Sequence, residues 1–75
     1  MKHARPDYNR IQDPANLIPE DEPVFLLRGQ DQLAVHALEF YEFLASQAGA
    51  EDVAKLCRQH VELMKNWPVK KVPDL

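Results

Sequence analysis

A lone glycine, Gly49, divides the second half of this chain into two helix-periodic segments with almost nothing between them. The first runs from about Gln32 to Ala48 and the second from about Ala50 to Asn66. A connection this short leaves the two helices no arrangement but antiparallel neighbours. The predicted fold is therefore mainly α: an antiparallel two-helix hairpin preceded by an extended arm and a short strand-like apolar segment. The chain divides into an N-terminal arm over residues 1–17, the hairpin with its leading apolar segment over 18–67, and a tail over 68–75.

The two helical segments differ in pattern. In the first, Gln32, Glu39, Glu42 and Ser46 share one narrow polar face at about 100° per residue, and the remaining arc is apolar nearly all round, from Leu33 to Ala48. One partner helix cannot cover so wide an arc, so either the arm and apolar run wrap it or another subunit does. The second has Val53, Ala54, Leu56, Cys57, His60, Val61, Leu63, Met64 and Trp67 on one side. Glu51 to Lys55 and Arg58 to Glu62 are spaced as i,i+4 pairs on the other. Glu51 and Asp52 complement the helix dipole, and Pro68 ends the helix.

Ahead of the hairpin, Pro19 and Pro23 bracket Glu20-Asp21-Glu22, a turn signal. Val24-Phe25-Leu26-Leu27-Arg28 then reads as a short buried apolar run, strand-like at its β-branched and aromatic start, although its two leucines would tolerate a helical turn. Lacking a second clear strand, it pairs with a symmetry mate or packs as an extended segment. Gly29 permits an unusual backbone angle, and Asp31 stands where an N-cap belongs, able to accept from the backbone N–H of Leu33 or Ala34. In the arm, Tyr8 and Ile11 are the expected anchors, and Arg5 and Arg10 read as solvated charges.

Composition narrows the function. A chain of 75 residues buries only about 60% of the surface its unfolded form exposes, and one cysteine allows no internal disulfide, so tight helix packing or self-association is the expected support. A single cysteine suits a reducing cytoplasm. No apolar run approaches the roughly 20 residues of a membrane span, and the N-terminus lacks the apolar core of a signal peptide. A soluble, cytoplasmic protein with no membrane partner is expected. The net charge of −3 with scattered lysines argues against general DNA or RNA binding. One serine and no threonine leave little material for a hydroxyl nucleophile, and Cys57 with His60 lacks an oxyanion hole and an orienting third group. His36, His60 and Cys57 lack a fourth zinc ligand. No catalytic residue, metal site or cofactor is expected.

Two clusters have binding chemistry. Arg28, Gln30 and Asp31 stand at a helix entrance where a guanidinium and backbone N–H groups can converge on a phosphate; Asp31 would accept from a base edge or ribose hydroxyl. The alternative is a plain cap, with Arg28 paired to Glu20 or Glu22. Trp67, Lys70 and Lys71 set an aromatic plate beside two cations, suited to a stacked base and its phosphates. The alternative there is that Trp67 caps the hairpin core and the lysines solubilise the tail.

The run Glu22-Pro23-Val24-Phe25-Leu26-Leu27-Arg28-Gly29-Gln30-Asp31, preceded by Ile18-Pro19 and followed by Leu33-Ala34, resembles a family of small proteins encoded by phages and prophages. The resemblance extends to the arm from Tyr8 to Ile11 and to the tail from Trp67 to Leu75. That family looks similar to the phage anti-CBASS sponges, non-enzymatic oligomers that sequester the cyclic dinucleotide signals of bacterial immunity. The resemblance implies a homo-oligomer that binds a cyclic dinucleotide in the cytoplasm of the infected host, with Arg28, Gln30 and Asp31 as first contacts and Tyr8, Arg10, Trp67, Lys70 and Lys71 as further ones. The negative net charge departs from that picture unless the site is locally basic. The rival expectation is a phage inhibitor or adaptor that docks on a host protein through the first helix's apolar face.

Overall fold

The computed structural model describes residues 1–8 and 13–73. Two helices dominate it, α1 (Ala34–Gln47) and α2 (Glu51–Asn66), packed against each other. A two-stranded sheet of β1 (Lys2–His3) and β2 (Pro23–Val24) precedes them, with one 3₁₀ turn over Pro6–Tyr8.

Gly49 closes α1 as expected, and its geometry shows why glycine stands there. Its φ is +80°. Its N–H donates to the Ser46 carbonyl at 3.1 Å, and the Ala50 N–H donates to the Ala45 carbonyl at 2.8 Å. These two bonds form a Schellman motif, which satisfies the last carbonyls of α1 and turns the chain straight into α2. Gly29, by contrast, is not in the left-handed region, so the unusual backbone angle expected of it is absent. It lies against Trp67, where an added Cβ would meet the indole side chain at an ordinary 3.6 Å. Gly49→Ala is therefore expected to cost about 1–2 kcal/mol, and Gly29→Ala less than about 0.5 kcal/mol. Thermal melts of the two variants check this; equal losses would contradict it.

Only the start of the strand-like run finds a partner within the chain: Lys2 and His3 pair in parallel with Pro23 and Val24, and residues 25–27 continue outside the strand. The Lys2 N–H donates to the Glu22 carbonyl at 2.7 Å, and the Met1 ammonium donates to the carbonyls of Pro19 and Glu20 at 2.6 and 2.8 Å. The acidic turn forms where the prolines place it, with the Glu22 N–H donating to the Pro19 carbonyl at 3.1 Å. Upstream, Asp13 organises a second turn: its carbonyl accepts from Asn16 at 2.8 Å and its carboxylate from the Ile18 N–H at 2.7 Å. The run itself is not buried throughout. Val24 and Leu27 are half-buried, while Phe25 is 74% exposed. The pairing with β1 ends at Val24, and Phe25 and Leu26 beyond it are exposed.

α1 begins at Ala34, later than Gln32. The Asp31 carboxylate accepts from the Leu33 N–H at 2.8 Å, but this bond closes a turn ahead of the helix, whose N-cap residue, Leu33, has no side-chain cap. The Gln32 N–H is taken by the Lys71 carbonyl at 3.0 Å, which holds residues 31–33 outside the helix.

The helix seam is built from small side chains. Ala34, Val35 and Ala45 of α1 meet Ala54, Cys57 and Val61 of α2, and these six form the buried apolar set among the described residues. One edge of the seam is polar. Arg58 reaches across to Glu42 at 3.1 Å, Lys65 lies between Glu39 and Glu62 at 4.0 and 3.8 Å, and the Ser46 hydroxyl donates to Glu51 at 3.0 Å. Arg58 and Glu51 thus turn to α1 rather than to the i,i+4 partners expected on α2, because the facing helix offers closer acceptors and donors. The apolar arc of α1 stays largely open: Phe40, Tyr41, Phe43 and Leu44 are exposed, and among the described residues neither the arm nor the strand pair wraps it. The chain as a whole exposes 6097 Å², where a compact monomer of its mass exposes about 4,700 Å². Its radius of gyration, 13.6 Å, likewise exceeds the ~11 Å of a compact chain of this length. No helix among the described residues is long and apolar enough to cross a membrane.

Candidate functional site

The residues that follow β2 and those that follow α2 come together at one end of the hairpin, where α1 starts and α2 finishes. Arg28 opens a tight turn there, its carbonyl accepting from the Asp31 N–H at 3.0 Å. The tail returns alongside. The Lys71 N–H donates to the Gln30 carbonyl at 2.8 Å, and this bond, with that from Gln32, makes an isolated parallel bridge between Asp31 and Lys71. Behind the bridge, Trp67 lies on Gly29. The Lys70 ammonium donates to the Gly29 carbonyl at 2.8 Å and to the Met64 carbonyl, so Lys70 satisfies the C-terminal end of α2 and ties it to the turn.

This arrangement leaves a cleft of about 150 Å³ between the turn, the tail and the N-terminal arm. Tyr8, Arg28, Gln30, Asp31 and Lys71 line it, so five side chains singled out from the sequence converge on one place. Phe25, Leu26 and Arg5 complete its wall with Ala4 and Pro73. Trp67 and Lys70 stand outside the lining, on the far side of Gly29. Arg10 lies outside the described residues, as does Ile11.

The cleft is locally basic although the chain is acidic. Arg5, Arg28 and Lys71 bring three cations, and among the described residues Asp31 is the only carboxylate in the lining. Arg5 is not a solvated charge. It forms a bidentate pair with Asp7, Nε to Oδ1 at 3.1 Å and Nη2 to Oδ2 at 3.0 Å, and its guanidinium lies 5.0 Å from the Tyr8 ring centroid. Part of its charge is thus already engaged. Arg28 differs: its exposed guanidinium makes no hydrogen bond or ion pair with any described residue, and the expected alternative partners Glu20 and Glu22 do not reach it. A desolvated anion between Arg28 and Lys71 would meet two cations, one of them able to bind two oxygens at once. Asp31 spends one carboxylate oxygen on the Leu33 N–H; the other can accept from a base edge or a sugar hydroxyl. Phe25 and Tyr8 add aromatic walls suited to a planar group.

Sequence reasoning missed Phe25 and Arg5 as lining residues. No local pattern in the run marked Phe25, whereas Arg5-Pro6-Asp7-Tyr8 carried the signal for Arg5, since an arginine two residues from an aspartate is readily fixed by it. The other chemistry weighed from sequence separates in space. Cys57 is buried in the helix seam, whereas His60 is exposed and its Nδ1 lies 3.2 Å from the Leu56 carbonyl. Among the described residues, no three His, Cys, Asp or Glu side chains are grouped as metal ligands. Set against protein-family models, curated proteins and solved structures, the chain matches none of them.

Proposed function

We propose that this chain is a non-enzymatic binding protein that sequesters a cyclic dinucleotide as a homo-oligomer, a phage-encoded sponge acting in the cytoplasm of an infected bacterium. The observation that carries the reading is the cleft, in which Arg28, paired with no described residue, stands with Lys71, Gln30 and Asp31 beside Tyr8 and Phe25. The cations suit a phosphate, the aromatic rings a base, and the amide and carboxylate the polar edges of base and sugar. At about 150 Å³ the cleft is smaller than the roughly 300–1,000 Å³ of sites that enclose a whole small molecule. Each chain then takes one base with its phosphate, and the near-twofold ligand is completed by a second chain.

A second reading has an observation of its own. Phe40 and Phe43 stack at 6.3 Å on the outer side of α1, both exposed, and could anchor the chain on a host protein. Titration calorimetry with 3′3′-cyclic GMP-AMP separates the two. The sponge reading expects saturable heat and a thermal midpoint that rises with ligand excess. No heat and no thermal shift at millimolar ligand would sink it.

A further inference from the structure

The turn that opens the cleft has few acceptors left to offer. The backbone carbonyls of Arg28, Gln30 and Asp31 already accept from the N–H groups of Asp31, Lys71 and Ala34 at 3.0, 2.8 and 3.2 Å, and that of Gly29 accepts from the Lys70 ammonium at 2.8 Å. Donors on a bound ligand must therefore be met by side chains. Among the described lining residues, Gln30 and Tyr8 can present either a donor or an acceptor, whereas the Asp31 carboxylate can only accept. Asp31 is half-buried and commits Oδ1 to the Leu33 N–H at 2.8 Å; no described residue takes Oδ2. The turn itself does not call for the charge, because asparagine closes the same side-chain-to-backbone turn. A carboxylate set among Arg28, Lys71 and Arg5 weakens the hold on a phosphate by repulsion unless the ligand brings donors to meet it.

We infer that Asp31 makes the cleft selective for guanine. The inference rests on the dinucleotide reading above and names the base that it leaves open. Guanine alone among the four bases carries two donors side by side, N1–H and the 2-amino group, and a carboxylate meets both with its two oxygens. Oδ1 keeps a lone pair for this after its bond to Leu33. Adenine sets one donor, its 6-amino group, next to an acceptor, N1, whose lone pair faces the second carboxylate oxygen. Uracil flanks its single N3–H with two carbonyls, and cytosine places its amino group beside the acceptor N3. Each of these bases leaves the carboxylate opposite a lone pair, which costs more than the one hydrogen bond returns. The phosphate stays with Arg28 and Lys71, so base and phosphate are read by different side chains. Tyr8 and Phe25 stack on any base and add affinity without choosing.

Calorimetry of the full chain with three ligands of equal charge checks this: 3′3′-cyclic di-GMP, 3′3′-cyclic GMP-AMP and 3′3′-cyclic di-AMP. Affinity should fall in that order, by roughly 10- to 100-fold from first to last. This ranking needs no variant, so it tests the inference whatever a substitution does to folding. Asp31→Asn keeps the oxygen that closes the turn on Leu33 and puts a donor where Oδ2 stood. It should bind 3′3′-cyclic di-GMP more weakly and 3′3′-cyclic di-AMP more tightly than the unaltered chain, because the guanine pair is lost and the repulsion of phosphate and adenine N1 goes with it. A purely structural Asp31 would move both ligands the same way or neither. Equal affinities for the three ligands, as a carboxylate bound to a ribose hydroxyl would give, or a ranking that survives in Asp31→Asn, would overturn the guanine inference and leave the sponge reading standing. Heat from none of the three would overturn the sponge reading, and the inference with it.

Discussion

Replacing Arg28 with alanine is expected to weaken dinucleotide binding roughly 10- to 100-fold, since a charge-assisted hydrogen bond contributes about 1.5–3 kcal/mol. Folding should barely change. The guanidinium is exposed and pairs with no described residue, so its loss should alter stability by less than about 0.5 kcal/mol. This separation of binding from stability is what a plain surface arginine would not give. Arg28→Lys should recover only part of the affinity, because an ammonium keeps the charge but not the planar fork that grips two oxygens. The check is calorimetry of the three proteins at one ionic strength. An unaltered ligand response in Arg28→Ala would place the site elsewhere.

Ala54→Leu is the substitution expected to damage the fold most. Ala54 is 0% exposed and sits in the narrow seam where α2 meets α1. Leucine and alanine are both good helix formers, so the helix itself would not object. The added side chain must instead push the helices apart, at about 1–3 kcal/mol. A chain this small has only about 3–5 kcal/mol in its core, so the loss is a large fraction of the whole. With each kcal/mol moving the midpoint by about 4–8 °C in a small domain, a thermal melt followed by circular dichroism should fall by ten degrees or so. An unchanged midpoint would mean that the helices do not approach through Ala54.

The hairpin was legible because its signals are local. Gly49 with no neighbouring polar linker states both the stop of α1 and the reversal that follows, and the Schellman bonds of Gly49 and Ala50 carry that out. The start of α1 was less legible. Asp31 does accept from Leu33, but the tail captures Gln32, and no local pattern announces a partner 39 residues downstream. β1 was invisible for the same reason: Lys2-His3 has no strand pattern of its own, and its pairing is set by β2 and by the Met1 ammonium on Pro19 and Glu20.

The candidate site divides in the same way. Arg28, Gln30 and Asp31 could be named together because one turn holds them. That Lys71 and Tyr8 join them depends on the two ends of the chain returning to that turn, which a linear reading does not contain. Lys70 and Lys71 look equivalent in sequence, yet one satisfies the end of α2 and the other lines the cleft. The difference follows from alternation along an extended tail, where neighbouring side chains point to opposite sides.

The ligand-binding cleft is the central claim, and amide chemical shifts map it most directly. Titrating the ¹⁵N-labelled chain with 3′3′-cyclic GMP-AMP should move the backbone signals of Tyr8, Phe25, Arg28, Gln30, Asp31 and Lys71, and leave those of the ion-paired side of the hairpin, such as Glu62 and Lys65, in place. Saturable shifts confined to that set are the predicted result. Shifts centred on Phe40 and Phe43, or a spectrum unmoved at millimolar ligand, would contradict it.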